Sequence, residues 1–493
     1  MGPRRPIYAL GTAFSYNRNL CETENFTCKI NKLQKLFKLW SQRDLSLYGR
    51  ILITKTLGLS KLIYSSACVQ TPARVSDIVN KLVVNFIWNG KKPKIKRDTL
   101  IGPKDKGGLE LPDYEIVTKS LQCAWVKRMK EGIRKQWMEI PSFYLENVGG
   151  PFIFDCDYDL HLLNLSNMPT FYIDILKAWT EVQGLCKADF HQNNIRSSIL
   201  SNNKNISTEG KSVYWKEWHI AGIDRLEDLL DENNSFLGYH QFCRKTGLKP
   251  PFTKFFGLIS AIPSKWKQTL RSGINLSRQE TNKPDQTFLN KGTCKNIHNL
   301  LTQNKFCNPL ASSRLCRLGI EYDNLKAIYL LPFNVTKETK LSMFQYKIIH
   351  NILPYGNRLY MMKILNSPLC NHCNLLETLP HMLVECNTVH DFWVKAISWW
   401  NSQSGNSYAV NALSILYGYY PAERTTRLFN YYILLGKRYI FVQRLELKTL
   451  TMSQFLDFVK NKIIVQRAIS QSKGQMNKFY SVWKPFLSLL EKL

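Results

Sequence analysis

The 493-residue chain lacks any apolar run near the roughly 20 residues that span a bilayer, and apolar stretches such as 431–442 are interrupted by Gly436, Lys437 and Arg438. Neither a membrane span nor a membrane partner is expected. A secretory leader is not expected either: Arg4 and Arg5 precede a short apolar stretch, but Gly11 breaks it and no clear cleavage site follows. Acidic residues are scarce, 37 against 67 Lys and Arg. The 13 cysteines are odd in number and irregularly spaced. That usage fits reduced thiols in an intracellular setting, nuclear or cytoplasmic, with one possible metal site, better than a disulfide framework. No fixed-period repeat is visible, so a solenoid is not expected.

What is present is a foldable composition with a charge problem. Hydrophobic residues make up 44% and aromatics 12%, enough for about two to four packed units. The formal charge of +30 makes a compact state repel itself unless a polyanion or counterions offset it. Residues 1–130 hold 24 Lys and Arg against 9 Asp and Glu, so half of the excess lies in a quarter of the chain. Local concentration of this kind is what phosphate docking needs, whereas general solubility would spread the charge.

The periodicity predicts a mainly α fold, a multi-segment helical protein with a small zinc-knuckle module. Ile30, Leu33, Leu36, Phe37 and Trp40 share one face of a helix, with Lys32, Lys35 and Lys38 opposite. Ser46 is placed to cap a second helix running through Ile51, Leu52, Lys55 and Leu59. Thr71 and Pro72 open a third, with Ile78, Val79, Leu82, Val83 and Phe86 as its apolar stripe and Asn89-Gly90 as its left-handed stop. Five cations then fall in seven residues: Lys91, Lys92, Lys94, Lys96 and Arg97. Gly107-Gly108 marks a turn before a helix carrying Val117, Leu121, Ala124 and Trp125 on one face.

The expected organisation is a basic helical region over 1–140, a helical insertion with polar loops over 141–286, a helical connector over 287–353, a zinc-knuckle module over 354–400 and a C-terminal helical segment over 401–493. Within the insertion, the Ser/Asn-rich interval 193–212 reads as a flexible loop, and 277–286 as a linker. A helix over 340–353 is expected to end at Pro354 and lead into the cysteines.

Those cysteines carry the one constellation with chemistry, Cys370-x2-Cys373-x7-His381-x4-Cys386. Two thiols two residues apart can turn inward from one tight turn, for which Pro368 and Asn371 are suited. A C-x-x-C pair alone is weak, but a His and a third Cys at tolerated spacing make it specific for tetrahedral zinc. Thr378 can cap a short helix starting near Pro380. On an unbroken α-helix His381 and Cys386 would lie about 140° apart, so the helix is expected to end near Glu385. His372 or His390 could stand in for a ligand, and a reduced, metal-free cluster is the alternative. Four protein donors leave no position for a catalytic water, so the site reads as structural.

These phrases carry a resemblance. The run from Ile30 to Tyr64, the phrase from Phe86 to Leu100, the phrase from Gly107 to Asp113, and the knuckle introduced by Lys340 to Leu353 and closed by Asp391-Phe392-Trp393 resemble the region after the polymerase core of LINE-type, non-LTR retrotransposon reverse transcriptases. The likeness covers about 9–130 and 325–400, the middle only in general character. It implies that the first region is similar to the thumb, which grips the primer–template duplex, and the end to the segment that helps to hold RNA. It implies as partner RNA or an RNA–DNA duplex, with Lys32, Lys35, Lys38, Lys91, Lys92, Lys94, Lys96 and Arg97 on phosphates, and as cofactor a structural Zn²⁺.

The family's Tyr- or Phe-Ala-Asp-Asp motif is missing, and no adjacent Asp-Asp pair occurs anywhere in the chain. Nucleotidyl transfer needs carboxylates to hold Mg²⁺. The expectation is therefore a non-catalytic fragment, with the endonuclease also absent. Residues 9–18 resemble the family's strand entering the thumb and 1–6 do not, which reads as a frame beginning inside a once longer protein. An inert truncated relic, and an accessory subunit active with a polymerase in trans, are the competing readings. For 91–97, a solvated surface and a nuclear-import signal compete with phosphate binding.

Overall fold

In the computed structural model, residues 5–15, 17–132, 135–187, 195–271, 292–419 and 424–487 are described. Among these residues the fold is mainly α, with two small two-stranded antiparallel sheets. In the first hairpin, β1 (Ile7–Ala9) pairs with β2 (Thr12–Phe14) through a two-residue turn, Leu10 and Gly11, with φ of 48° and 79°. Positive φ at both positions gives the turn the twist that strands require. The strand expected over 9–18 is instead a hairpin over 7–14, and Arg18 already begins a short helix. The second pairs β3 (Ser207–Thr208) with β4 (Lys211–Ser212).

The principal helices are α1 (Cys28–Ser41), α2 (Leu47–Ile53), α3 (Ser60–Cys68), α4 (Ala73–Ile87), α5 (Tyr114–Glu131), α6 (Thr170–Lys187), α7 (Thr293–Lys305), α8 (Leu325–Val335), α9 (Thr339–Ile349), α10 (Asn387–Ser404), α11 (Arg424–Leu445) and α12 (Met452–Ser472). Their ends follow local chemistry. The Ser46 hydroxyl accepts from the Gly49 N–H at 3.1 Å and starts α2. Beyond Ile53 a wide π-type turn over Thr54–Gly58 separates α2 from α3, so the expected single helix is two. Asn89 and Gly90, with φ of 52° and 73°, stop α4 as the sequence predicts.

The chain divides into two units. One comprises Met1–Leu36, Thr56–Leu82 and Pro112–Lys305. Its axis is α5, against which α3, α6 and α7 pack. Asp113 caps α5 by accepting from the N–H groups of Glu115 and Ile116 at 3.0 and 3.3 Å, and Lys305 pairs with Asp113 at 3.0 Å. Packing on several sides changes which residues are buried. Ile116, Cys123, Val126 and Met129 are interior, and so are Thr118, Ser120 and Gln122, whereas the expected stripe of Val117, Leu121, Ala124 and Trp125 is only half-buried. A satellite core gathers Trp218, Phe242, Phe255 and Leu258.

The polar interval at 193–212 departs from expectation where it is described, from 195 onward. Ser201, Asn202 and Asn203 are buried. The Asn202 amide donates to the Val148 carbonyl at 2.8 Å, and its Oδ1 accepts from Ser212 at 3.0 Å. Satisfied amides can enter a core, so this interval is packed structure and not a flexible loop. The linker expected at 277–286 lies outside the described residues.

The other unit comprises Phe37–Lys55, Val83–Leu111 and Phe306–Leu493. One large core runs through it from Ala311 to Phe486, and Cys370 and Cys386 belong to it. Phe37 and Phe86 stack at 4.3 Å, and the Arg50 guanidinium donates to the Phe86 carbonyl at 3.0 Å. The Gly107-Gly108 turn is tied to α9 by the Tyr346 hydroxyl, which donates to the Gly107 carbonyl at 3.0 Å. Only glycine fits at 108, since a Cβ there would lie 2.0 Å from the Gly102 carbonyl oxygen. Helix α9 ends at Ile349, with Asn351 at φ 53°, somewhat before Pro354.

Candidate metal centre

The first two donors come from a short hairpin. Leu369 bridges Leu376, the Cys370 N–H donates to the Leu375 carbonyl at 2.8 Å, and the Asn374 N–H to the Cys370 carbonyl at 2.9 Å. The left-handed residue of the turn is Asn374, with φ of 55°, one position beyond Cys373. The turn folds both thiols to one side.

The second pair depends on an unusual helix turn. Thr378 caps it, its hydroxyl accepting from the His381 N–H at 3.2 Å. Residues His381–Glu385 then form a single π-type turn, closed by the Cys386 N–H donating to the His381 carbonyl at 3.1 Å. A five-residue turn brings residues 381 and 386 towards one side, which the α-helical spacing would not do. The helix stops at Glu385 as the spacing requires, and Cys386 is extended, with φ −60° and ψ 131°, before α10 begins.

All four candidate donors converge. The ligand atoms of Cys370, Cys373, His381 and Cys386 lie within 4.8 Å of one another. Cys370 and Cys386 Sγ are 3.9 Å apart, Cys386 and Cys373 Sγ 4.0 Å, and Cys373 Sγ is 3.1 Å from His381 Nε2. Thiolates around tetrahedral zinc stand about 3.8 Å apart, given a Zn–S distance of about 2.3 Å. The set fits one such ion. His372 supplies its backbone N–H to Cys370 Sγ at 3.4 Å, and neither it nor His390 belongs to the cluster.

The surroundings favour ionised sulfur. Burial pushes the Cys370 thiol up, but hydrogen bonds from Arg444, the His372 N–H and His381 outweigh it and bring the group down to about 6. Arg444 Nη2 is 3.1 Å from Cys370 Sγ and also forms an ion pair with Glu377. Glu377 in turn accepts from the Gly356 N–H at 2.6 Å.

A family model described as zinc-binding in reverse transcriptase matches residues 321–393, which contain all four donors. The chain is also similar to the Transposon TX1 uncharacterized 149 kDa protein of Xenopus laevis, at 24% identity over 239 residues, covering 46% of this chain and 18% of that protein. The chain resembles the C-terminal region of a retrotransposon reverse transcriptase. It spans less than a fifth of the length of the curated relative it matches.

Within this reverse-transcriptase-like region, Arg444 and Glu377 are what sequence reasoning misses. Arg444 arrives from α11, far beyond the motif, and nothing local marks it. Glu377, the one carboxylate in the mostly apolar run 375–384, is the signal the sequence offers. Their side chains are only 9% and 16% exposed. Removing one partner of such a pair strands a buried charge, typically destabilising by about 3–5 kcal/mol. Arg444→Met is therefore expected to lower the unfolding free energy by that order in a urea titration, and a loss under about 1 kcal/mol would show that the pair carries little.

The expected phosphate contacts are distributed as follows. Lys32, Lys35 and Lys38 are exposed on α1, while Ile30, Leu33 and Phe37 on its other face are buried. Lys91, Lys92, Lys94 and Lys96 are exposed around buried Ile95, and Arg97 is half-buried at the start of the short helix Arg97–Leu100. On α4, Ile78 is exposed at 42%, and Val75 joins the buried stripe instead. Among the described residues, no helix is long and apolar enough to cross a membrane.

Proposed function

We propose that this chain is a non-catalytic nucleic-acid-binding region of LINE type that takes RNA or an RNA–DNA duplex, with one structural zinc ion held by Cys370, Cys373, His381 and Cys386. The observation that carries the reading is the exposed cation run Lys91, Lys92, Lys94 and Lys96 in a chain matching a zinc-binding segment of reverse transcriptases. Among the described residues, none of these lysines pairs with a carboxylate, nor do Lys32, Lys35 and Lys38. Unneutralised side chains are free to displace counterions from phosphate. The four protein donors would saturate a tetrahedral ion, which supports a structural and not a hydrolytic role. The missing Asp-Asp pair supports the absence of nucleotidyl transfer.

The test is the salt dependence of binding. With a labelled RNA–DNA duplex, log affinity should fall linearly with log salt, each phosphate contact adding about 0.7–0.9 to the slope. Replacing Lys91, Lys92, Lys94, Lys96 and Arg97 together by Gln should flatten that slope by several such steps. An unchanged slope rejects the assignment. Primer extension by the isolated chain should be nil, and measurable synthesis would reject the non-catalytic part.

A further inference from the structure

In the unit built from residues 37–55, 83–111 and 306–493, the segment around the metal hairpin is apolar where surfaces are ordinarily polar. Eight of the seventeen residues 360–376 are large hydrophobic side chains standing in solvent. Tyr360, Met361, Met362, Ile364 and Leu365 are 44–76% exposed, and Leu369, Leu375 and Leu376 are 44–61% exposed. Single exposed apolar side chains are normal on a protein, but a group this dense marks an interaction site.

Local structure holds these side chains out. The short helix Gly356–Met361 ends in a left-handed stop at Lys363, with φ of 56°. There the Ile364 N–H donates to the Leu359 carbonyl and the Lys363 N–H to the Tyr360 carbonyl, both at 2.9 Å. In the hairpin that follows, strand alternation turns Cys370 into the core and Leu369, with Leu376 directly opposite it, the other way. Helix and hairpin are tied together: the Asn357 N–H donates to the Glu377 carbonyl at 3.0 Å, and the Glu377 N–H to the Pro368 carbonyl at 2.9 Å. The eight side chains thus sit on one braced segment. Its charge has one sign. Residues 354–376 contain Arg358 and Lys363 and no Asp or Glu. Among the described residues, neither cation is in an ion pair, and Glu377, the next carboxylate, is taken by Arg444. Lys94, lowered chiefly by burial, also feels Arg358, so a third cation stands at this edge.

We infer that the segment 360–376 docks an acidic amphipathic helix of another protein, its apolar face on Met361, Ile364 and Leu375 and its carboxylates toward Arg358 and Lys363. The inference is independent of the nucleic-acid reading. Charge complementarity selects the partner, since an apolar surface edged only by cations matches a helix that is apolar on one side and acidic on the other. A second copy of this chain is disfavoured, because each brings a formal charge of +30 and the same basic edge. Nucleic acid offers stacking faces to aromatic rings, and Tyr360 is the only aromatic residue among the eight. In a bilayer the exposed Asn366, Asn371 and Asn374, interspersed among the apolar residues, would lose water without gaining partners. A protein partner can satisfy them, and protein interfaces mix apolar and amide surface in this way.

The experiment titrates the full chain against a fluorescein-labelled model helix of about six turns, leucine along one face and glutamate along the other. Its control carries lysine for every glutamate. The glutamate helix should bind saturably and the lysine helix at least about tenfold more weakly. Met361→Gln with Leu375→Gln should weaken binding about tenfold or more. Both side chains are exposed, so the fold should stay intact. Lys363→Gln should weaken it about two- to threefold at low salt, and the difference should vanish at high salt. In a methyl spectrum of labelled methionine, Met361 and Met362 should shift on binding while buried Met129 and Met343 stay in place. Absence of binding, equal binding of the lysine helix, or full binding by the double variant overturns the inference. So does self-association in sedimentation, or flotation with phosphatidylserine vesicles, that the double variant abolishes: the occupant is then a second copy or a membrane.

Discussion

Removing the metal with a chelator, or replacing Cys386 with Ser, is expected to reduce bound zinc from one per chain to none and to open the segment from 369 to 393. The affinity at stake is large, of the order of 10–16 kcal/mol for structural zinc in finger peptides. Here the site is not an isolated finger. Cys370 and Cys386 are part of the large core, and Leu379, Met382, Leu383, Val384 and Val389 around them are all buried. Loss of the ion would leave three sulfurs and an imidazole packed in that core without their common partner. The helices beyond would keep their own apolar contacts. The expected result is therefore local: fast hydrogen exchange over the hairpin and the π-type turn, with far-UV helicity largely retained. Trp393 reports on the same event, since its indole donates to the Leu383 carbonyl at 2.8 Å. Unchanged exchange after complete zinc loss would show that the core alone holds the segment.

The division between what was legible and what was not follows from the range of the interactions. Helical faces such as Ile30, Leu33 and Phe37 are written in local periodicity, and the left-handed stop at Asn89-Gly90 in local sterics. The four donors were legible because their spacing is short. The π-type turns at Thr54–Gly58 and His381–Glu385 were not, because they differ from α-helix by one residue per turn and residue type does not signal that. The wrong stripe on α5 has another cause: a helix with neighbours on several sides buries Thr118, Ser120 and Gln122 as well. Buried Asn202 misled for a similar reason, since hydropathy scores an amide as exposed whether or not a carbonyl waits for it. Arg444 is 74 and 67 residues from the Cys370 and Glu377 that it meets, so only the folded chain identifies it.

Lys437 gives a prediction that changes sign with pH. Its amine is buried on α11 and donates to Gln345 Oε1 at 2.6 Å and to the Leu416 carbonyl at 3.2 Å. Burial in these surroundings lowers it from an ordinary 10.5 to about 7. Between those values the unfolded chain carries one proton more than the folded chain, so stability should rise with pH by about 1.4 kcal/mol per pH unit over that window. Below about 7 both states are charged and the full penalty, roughly 5 kcal/mol, is present. Above about 10.5 both are neutral and it is gone. Lys437→Met removes the titration and leaves Gln345 Oε1 without its donor, a loss of about 1–3 kcal/mol at any pH. Leu416 keeps a partner, since Gln345 Nε2 donates to the same carbonyl at 2.9 Å. The variant should thus be more stable than the unaltered chain at pH 6 and less stable at pH 10. Urea midpoints of both proteins from pH 6 to 10 check this. A stability difference that stays constant across the series would mean that the amine keeps its charge in the folded chain.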